Sequence, residues 1–298
     1  MCKLKSAIIL KDRIFIPDYN SHGEMLEELG IEDTKANAKR LFVRAELSPR
    51  DGDVFSPIDT WKFKVDQDIL PEWFVASYEE QRMREAVKEW AKERIHIGID
   101  GLKINVGINH YIKDCKDVEI YGYANISEVC GSTSIREVYG YASIDKLYGY
   151  ANIGKVYDYA SISKIGNSAS IDKLYDYANI GEVYDSASID KVHDYASISE
   201  VYDHVNIREV RDSASIGFVY SCASIDFVGD CASIGCIYGC ASIREVGGSA
   251  IISSRFGWKN KDKVILSDNA TFKDREAKVI YQSGNWVLRL VERDGTIS

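Results

Sequence analysis

Gly140-Tyr-Ala-Ser-Ile-Asp-Lys-Leu-Tyr148 and the adjoining Gly149-Tyr-Ala-Asn-Ile-Gly-Lys-Val-Tyr157 are two copies of the nine-residue unit that decides the fold of this chain. Fourteen such units run from Gly122 to Gly247 without an insertion or a deletion. A short, fixed period of this kind is typical of a solenoid, in which successive copies stack on one another.

Each unit alternates apolar and small polar residues as a short β-strand requires. Numbered from its first residue, the unit has Ala at position 3 (except Thr133 and Val205), Ile at position 5, and Val, Leu or Ile at position 8. Position 4 is always Ser or Asn, and turn-forming residues collect at positions 1 and 6. Because one unit cannot bury its own apolar face, we expect stacked coils around a continuous aliphatic core, which is a parallel β-solenoid.

The number of units in one coil has two interpretations. Two units give an 18-residue coil, about seven coils over the regular units and a rod of roughly 35 Å. Three units give a 27-residue coil, which fits the return of Asn at position 4 in every third unit, from Asn125 to Asn206. Duplication of a three-unit block would leave the same pattern, so we favour the coil of two units.

Regions without the repeat flank the solenoid. We expect an α+β domain over residues 1–112, the nonapeptide-repeat solenoid over residues 113–254 and a β cap over residues 255–298, so the chain is predicted to be mainly β. Alternating runs at residues 263–266, 277–281 and 286–291 indicate the strands of the cap. A cap is needed because the open end of a terminal coil exposes unpaired strand edges.

The N-terminal region combines strand patterns with two capping boxes. Apolar runs at residues 6–17, 41–47 and 61–65 indicate strands, the first with a turn at Lys11 and Asp12. Ser21 with Glu24, and Ser77 with Glu80, each predict the start of a helix. The second helix is expected to end near Ile95. Its predicted apolar face is Met83, Ala86, Val87, Trp90 and Ala91, and its predicted solvated face is Glu79, Glu80, Arg84, Glu85, Lys88 and Lys92.

The string Val156-Tyr-Asp-Tyr-Ala-Ser161, followed by Ile162, resembles the hexapeptide pattern of bacterial left-handed β-helix proteins. The resemblance covers residues 118–254 and implies a β-solenoid, although the nine-residue period departs from that family. Many hexapeptide proteins are acyltransferases that use a His at a coil corner between the subunits of a trimer. His193 at position 9 and His204 at position 2 stand where other units have Tyr, so we interpret them as substitutions in a Tyr ladder. The architecture is also similar to that of uncharacterised proteins of bacteriophages and mobile elements.

Motifs for metals, cofactors and catalysis are missing from the sequence. Calcium-binding rolls need Gly-Gly-x-Gly-x-Asp in successive turns, and the chain has neither this nor a Walker loop, a dinucleotide fingerprint, a Gly-x-Ser-x-Gly elbow or His-Glu-x-x-His. We expect no cofactor, no metal and no catalytic residue. Cys222, Cys231 and Cys240 share position 2, and Cys236 lies nearby. They are expected to be ladder substitutions, although Cys222 and Cys240 would stack in an 18-residue coil and could then form a disulfide or share a metal.

Composition favours a cytoplasmic protein. The longest apolar runs, such as residues 7–10, are far too short to cross a bilayer or to form a signal-peptide core. Seven Cys residues without paired metal spacing fit a reducing compartment. We therefore expect no membrane partner.

The repeat carries nearly all of the net charge. It holds 17 Asp and Glu residues against 9 Lys and Arg residues, a net charge of −8 out of −9, together with 14 of the 19 Tyr residues. Tyr contributes a large contact area at low entropic cost, and an acidic face disfavours direct binding to nucleic acid or anionic membrane. We therefore predict a protein partner with a basic surface. The predicted binding residues are Asp158, Asp176, Asp185, Asp194, Asp203, Asp212, Tyr157, Tyr159, Tyr175, Tyr177, Tyr184, Tyr195 and Tyr202.

Three functions fit these patterns. The favoured one is a non-enzymatic interaction protein, encoded by a phage or mobile element, that inhibits or sequesters a host factor, for example by mimicking nucleic acid. The second is a structural or oligomeric spacer that displays the N-terminal domain. The third is a hexapeptide-like acyltransferase, which predicts a homotrimer.

Overall fold

A computed structural model of the chain describes residues 5–254, 258–282 and 289–290. Contacts divide the chain into two compact units, Met1–His96 and Ile97–Ser298. The first unit is a small α/β structure and the second is the solenoid. The described strands form three sheets, of four, ten and thirteen strands.

The N-terminal unit contains the four-stranded sheet. Its strands are Lys5–Leu10 (β1), Ile14–Phe15 (β2), Phe42–Ser48 (β3) and Lys62–Val65 (β4). Its helices are His22–Glu28 (α1), Lys35–Ala38 (α2) and Ala76–Arg94 (α3), with short 3₁₀ helices at Arg50–Gly52 and Ile58–Thr60. The sheet is antiparallel in the order β2-β1-β3-β4, which confirms the predicted strands and the turn between the first two.

The two predicted capping boxes have different outcomes. The Ser21 hydroxyl accepts a hydrogen bond from the Glu24 N–H at 3.3 Å, so the first is confirmed as an N-cap. The second is wrong, because α3 begins at Ala76 after Val75 and has no side-chain cap. Glu79 is also not on a solvated face, since it is buried and forms an ion pair with Arg82 at 2.8 Å. No helix among the described residues is long and apolar enough to span a bilayer.

From residue 125 onward, short strands recur once in every nine-residue unit. The remaining strands are Ile95–Ile97 (β5), Lys103–Ile104 (β6), His110–Lys113 (β7), Val118–Ile120 (β8), Asn125–Cys130 (β9), Ser134–Val138 (β10), Ser143–Leu147 (β11), Asn152–Val156 (β12), Ser161–Ile165 (β13), Ser170–Leu174 (β14), Asn179–Val183 (β15), Ser188–Val192 (β16), Ser197–Val201 (β17), Asn206–Val210 (β18), Ser215–Val219 (β19), Ser224–Val228 (β20), Ser233–Ile237 (β21), Ser242–Val246 (β22), Ile251–Ser254 (β23), Ile265–Leu266 (β24), Thr271–Asp274 (β25), Val279–Gln282 (β26) and Arg289–Leu290 (β27). A short 3₁₀ helix lies at Lys261–Lys263.

Alternate strands belong to alternate sheets. The even-numbered strands from β6 to β24 form the ten-stranded sheet, and the odd-numbered strands from β5 to β25, followed by β26 and β27, form the thirteen-stranded sheet. Within each sheet, neighbouring repeat strands are parallel and offset by two units, as in the pairing of Ile153 with Ile171 and of Ile162 with Ile180. This register confirms the parallel solenoid with an 18-residue coil. The 27-residue coil is wrong, because it would pair each strand with the third strand along the chain.

The core lies between the two sheets and is built by positions 3, 5 and 8 of every unit. In the central unit these residues are Ala178, Ile180 and Val183, each fully buried. Side chains of a strand alternate between its two faces, so positions 3 and 5 point inward while positions 4 and 6 face outward. Position 8 is also buried, although alternation from position 5 would not place it inward. Stacking then joins the inward residues of all coils into one continuous aliphatic cluster.

The parallel ladder extends beyond the regular repeat at both ends. Strands β6 to β8 precede the first regular unit, and β24 and β25 continue the two sheets after residue 254. An antiparallel pairing of β25 with β26, and of β26 with β27, follows at the C-terminal end. The predicted strand at residues 286–291 falls largely outside the described residues, which include only residues 289–290 of it.

Glu119 connects three successive coils near the start of the stack. Its carboxylate accepts hydrogen bonds from Lys103 at 2.9 Å, Arg136 at 2.8 Å and the Tyr139 hydroxyl at 2.9 Å. The hydrogen bonds from Lys103 and Tyr139, in that order, lower the pKa of Glu119 from 4.5 to about 2. The charged form of Glu119 is therefore favoured in the folded chain.

This network predicts a specific loss of stability in acid. A depressed carboxyl pKa stabilises the fold above the unfolded value near 4.5, and that contribution disappears as the pH falls toward 2. Glu119→Gln should therefore melt below the wild type at pH 7, and the difference in melting temperature should shrink between about pH 5 and about pH 2. Glu245→Gln, at the same repeat position but without an ion pair among the described residues, is the control. A pH-independent difference for Glu119→Gln would contradict the network.

Candidate functional site

The corners of the coils are built by position 1 of each unit. At one corner, the Ala160 N–H donates to the Tyr157 carbonyl at 3.2 Å, which closes a tight turn around Asp158. The backbone of Asp158 is left-handed, with φ of 57°. Gly149, at position 1 of the preceding unit, also has a left-handed backbone, with φ of 74°. Only Gly, and less readily Asp and Asn, adopt this conformation at low cost. This explains why position 1 is restricted to small and turn-forming residues.

The position-1 aspartates also tie neighbouring coils together. The Asp158 N–H donates to the Asp176 carboxylate at 3.4 Å, and the Asp176 N–H donates to the Asp194 carboxylate at 3.4 Å. At another corner, Asp185 accepts from the Asn167 N–H at 2.9 Å and from its side-chain amide at 3.1 Å. The predicted binding aspartates therefore have a structural role in the corners, because each carboxylate satisfies a backbone donor of the preceding coil.

Substitutions of Asp185 separate the contribution of its left-handed backbone from that of its carboxylate hydrogen bonds. Asp185→Gly keeps the left-handed backbone and loses the hydrogen bonds, whereas Asp185→Ala also strains the backbone. We expect Asp185→Ala to be less stable than Asp185→Gly by about 1–2 kcal/mol, measured by urea unfolding. Asp185→Asn should be the mildest change, since Asn167 already occupies this position with φ of 53°. Equal losses for the Ala and Gly variants would contradict the role of the left-handed backbone.

With a coil of two units, successive corners fall on opposite edges of the solenoid. We name the edge where the chain passes from the ten-stranded to the thirteen-stranded sheet the tyrosine edge, and the other the opposite edge. The tyrosine edge consists of residues 121–123, 139–141, 157–159, 175–177, 193–195, 211–213 and 229–231. The opposite edge consists of residues 130–132, 148–150, 166–168, 184–186, 202–204, 220–222 and 238–240.

Five exposed Tyr residues stack in one row along the tyrosine edge. This outer ladder is Tyr123, Tyr141, Tyr159, Tyr177 and Tyr195. Adjacent ring centroids are 5.3–5.4 Å apart, the rings are within 6° of parallel, and every side chain is more than half exposed. The predicted set did not include Tyr123 and Tyr141, whose units begin with Gly. Tyr123 and Tyr141 are separated from Tyr159 by an even number of units, which in a coil of two units places all three on the same edge. This spacing could have identified them from the sequence.

A second, half-buried ladder lies on the other side of the same corners. This inner ladder is Tyr121, Tyr139, Tyr157 and Tyr175, with ring centroids 5.1–5.3 Å apart. Two of its hydroxyls donate to a Glu of the preceding coil, as in the 3.2 Å hydrogen bond from Tyr157 to Glu137. Between the two ladders runs the position-1 row, which is Gly in two coils and then Asp from Asp158 to Asp230.

The predicted binding residues are divided between the two edges. Those on the tyrosine edge are Asp158, Asp176, Asp194, Asp212, Tyr157, Tyr159, Tyr175, Tyr177 and Tyr195, and those on the opposite edge are Asp185, Asp203, Tyr184 and Tyr202. On the opposite edge, position 2 is Ser, His or Cys in every coil except that of Tyr150, which therefore stands alone between Ser132 and Ser168. Only the tyrosine edge therefore presents exposed Tyr and Asp in continuous adjacent rows.

The two repeat histidines lie on different edges. His193 continues the inner ladder, with its Nδ1 atom 3.4 Å from the Asp212 carboxylate, whereas His204 is exposed on the opposite edge. They do not meet in one site within the chain. Cys222 and Cys240 occupy neighbouring coils of the opposite edge, as the register of β20 with β22 requires. Both are free thiols, as are the other described cysteines.

One cluster in the N-terminal unit has the composition of a metal site. His22, Glu46 and Asp66 bring ligand atoms within 4.8 Å of one another. The Lys64 ammonium lies 2.9 Å from Asp66 and 3.7 Å from Glu46, and its hydrogen bond holds the pKa of Asp66 below its usual value. Lys64 thus already places one positive charge between the two carboxylates of this cluster.

The tyrosine edge combines aromatic faces with carboxylates that have few partners. The Asp212 carboxylate lies 3.4 Å from the Nδ1 atom of His193, and the Asp230 carboxylate lies 3.8 Å from the Arg211 guanidinium. Among the described residues, the carboxylates of Asp158, Asp176 and Asp194 form no ion pair with a cationic side chain. Such a surface can bind cationic and amphipathic side chains of a partner. Comparison of the chain with protein-family models, with curated proteins and with solved structures finds no match.

Proposed function

We propose that this chain is a non-enzymatic binding protein whose tyrosine edge binds a protein partner with a basic surface. We further propose that it is encoded by a phage or mobile element and inhibits or sequesters a host factor. The observation that carries the proposal is the outer ladder of five exposed, stacked Tyr rings, three of which lie beside the row of aspartates. The opposite edge also stacks Tyr202, Tyr220 and Tyr238 next to the position-1 row, but these side chains are half-buried, so among the described residues only the tyrosine edge has a stacked row of exposed Tyr beside Asp.

The stacked geometry favours binding for a thermodynamic reason. Ordering a side chain at an interface costs about 0.5–1.5 kcal/mol, and rings that already stack on neighbours have less freedom to lose. Tyr faces attract Lys and Arg through cation–π interactions, and the adjacent carboxylates add Coulomb attraction. Arg and Lys side chains that lie across the outer ladder would therefore contact both rows at once.

The spacing of the carboxylates supports mimicry of nucleic acid as the mode of inhibition. Each coil advances the row by about 4.8 Å, so the part of the row from Asp158 to Asp230 carries one carboxylate per about 4.8 Å. A strand of DNA carries one per about 3.4 Å. The line of charge is thus somewhat less dense than one strand of DNA, and Tyr rings take the place of bases as flat contact surfaces.

The repeat itself supplies matched variants for a test. Ser occurs naturally at position 2 and Asn at position 1, as in Asn167 and Ser168, so these substitutions suit the corner. Asp176→Asn with Tyr177→Ser changes the tyrosine edge. Asp203→Asn with Tyr150→Ser makes the same changes of residue type on the opposite edge.

The experiment is affinity capture from a bacterial lysate at low and high salt, with mass spectrometry of the bound proteins. We expect the wild type and the opposite-edge variant to retain a stoichiometric partner that high salt releases, and the tyrosine-edge variant to lose most of it. A partner retained equally by both variants, or bound independently of salt, would contradict the proposal.

A further inference from the structure

Outward-facing Glu side chains bind cations and Tyr hydroxyls in the first coils of the ten-stranded sheet. Glu137 lies at position 7 of the repeat unit that contains β10. Its carboxylate accepts hydrogen bonds from Lys155 of the next coil at 2.9 Å and from the Tyr157 hydroxyl at 3.2 Å. Glu119, one coil earlier, accepts from Lys103 of the preceding coil and from the Tyr139 hydroxyl of the next. The rule in these coils is that a carboxylate of one coil accepts from the position-9 side chain of the next.

The next coils keep the donors and lose the carboxylates. In the next three strands of the ten-stranded sheet, β12, β14 and β16, position 7 is Lys155, Lys173 and Lys191, and these residues pair in register. Lys155 is paired with Glu137. Neither Lys173 nor Lys191 has a carboxylate within ion-pair distance among the described residues. Like charges directly opposite each other on neighbouring strands are destabilising. Glu209 lies opposite Lys191 on the following strand, but its carboxylate is paired with Arg208 at 2.6 Å and with Arg211 at 3.3 Å.

A groove of about 250 Å³ lies at this position. It is lined by Lys173, Leu174, Tyr175, Lys191, His193 and Asp194. The Nε2 atom of His193 is buried and has no hydrogen-bond partner among the described residues.

Among the described residues, the nearby carboxylates form no ion pair with Lys173 or Lys191. Asp190 is paired with Arg208, which together with the adjacent lysines keeps the Asp190 pKa low. Asp172 accepts from the Asn152 amide at 3.3 Å, and Asp194 accepts from the Asp176 N–H at 3.4 Å. The two ammonium groups are thus left for an external ligand.

We propose that this groove binds a phosphate-type oxyanion between Lys173 and Lys191. The ligand takes the place that the Glu137 carboxylate holds beside Lys155 and Tyr157, with the Tyr175 hydroxyl and the His193 ring as further neighbours. Phosphate suits the site because its oxygens accept several charge-assisted hydrogen bonds at once. The groove shares Tyr175, His193 and Asp194 with the tyrosine edge, so phosphate and the proposed protein partner would bind at adjoining surfaces, and titration of the chain without the partner tests the phosphate site by itself.

The test is titration of the full chain with inorganic phosphate by calorimetry, with sodium chloride adjusted to hold the ionic strength constant. Lys173→Gln with Lys191→Gln should weaken binding about tenfold or more, because two charge-assisted hydrogen bonds are lost. Lys146 and Lys164 are position-7 residues of units whose strands lie in the thirteen-stranded sheet. Lys146→Gln with Lys164→Gln removes the same number of charges and should leave the affinity for phosphate unchanged.

A second variant rebuilds the missing carboxylate. Lys173→Glu should abolish phosphate binding and raise the melting temperature in phosphate-free buffer, since the new Glu would pair with Lys191 as Glu137 pairs with Lys155. Adenosine monophosphate is titrated in parallel. Tighter binding than phosphate identifies a phosphomonoester as the ligand, and equal affinity identifies the free ion. No phosphate binding by the wild type, or an equal loss in the Lys146/Lys164 control, would overturn the proposal.

Discussion

Replacing Ile180 by Ala is expected to lower the free energy of unfolding by about 2–5 kcal/mol, as for other buried aliphatic residues. Ile180 is fully buried in the middle of the stack, and it pairs in register with Ile162 and Ile198 of the neighbouring coils. Removing its side chain leaves a cavity that the rigid ladders on either side cannot close. Urea unfolding followed by circular dichroism measures the change.

Two controls make this result specific. Ile180→Val removes one methylene and should cost about 0.5–1.5 kcal/mol, whereas Ser186→Ala, at an exposed corner, should cost less than about 0.5 kcal/mol. A loss below about 1 kcal/mol for Ile180→Ala would mean that the interior is loosely packed, which the continuous buried cluster does not allow.

Deleting one coil is expected to preserve the binding surface, whereas deleting half a coil should destroy it. Removal of residues 176–193 takes out two whole units and joins Tyr175 to Asp194, so every later strand stays in its sheet. Tyr195 then stacks directly on Tyr159. Removal of residues 176–184 takes out a single unit and moves every later strand to the other sheet. Tyr195 then lies on the opposite edge, and the outer ladder ends early.

Both shortened chains should fold, because positions 3, 5 and 8 supply the same kind of core in either sheet. Far-UV circular dichroism checks this, and capture of the partner measures binding. We expect the two-unit deletion to bind with nearly wild-type affinity and the one-unit deletion to lose most of the binding. If the solenoid were only a spacer, both deletions would remain functional, and equal binding by the two would count against the tyrosine edge.

The core and the strand pattern could be predicted because each repeat position has one physical role. Ile at position 5 and Ala at position 3 are buried in every coil, and the sequence shows both directly. The period alone left coils of two and of three units open, and the strand register shows two units per coil. The capping box at Ser77 failed because the N-cap of α3 is Val75, two residues earlier, and buried Glu79 forms an ion pair with Arg82.

The division of the candidate site could not be predicted from position alone. Tyr184 and Tyr175 have the same position in the nine-residue unit, yet they lie on opposite edges because one unit is only half a coil. The grouping depends on whether two residues are separated by an even or an odd number of units. The hydrogen bonds of the aspartates were likewise hidden, because the accepting carboxylate and its backbone donor lie one full coil apart in the sequence.

The most direct measurement of the central claim is a salt titration with the purified partner obtained by capture. Its affinity is compared for the wild type, for Asp176→Asn/Tyr177→Ser and for Asp203→Asn/Tyr150→Ser. If the tyrosine edge is the binding surface, the first variant loses about tenfold or more in affinity and shows a weaker salt dependence, while the second matches the wild type. Equal affinities and equal salt slopes for the two variants would contradict it.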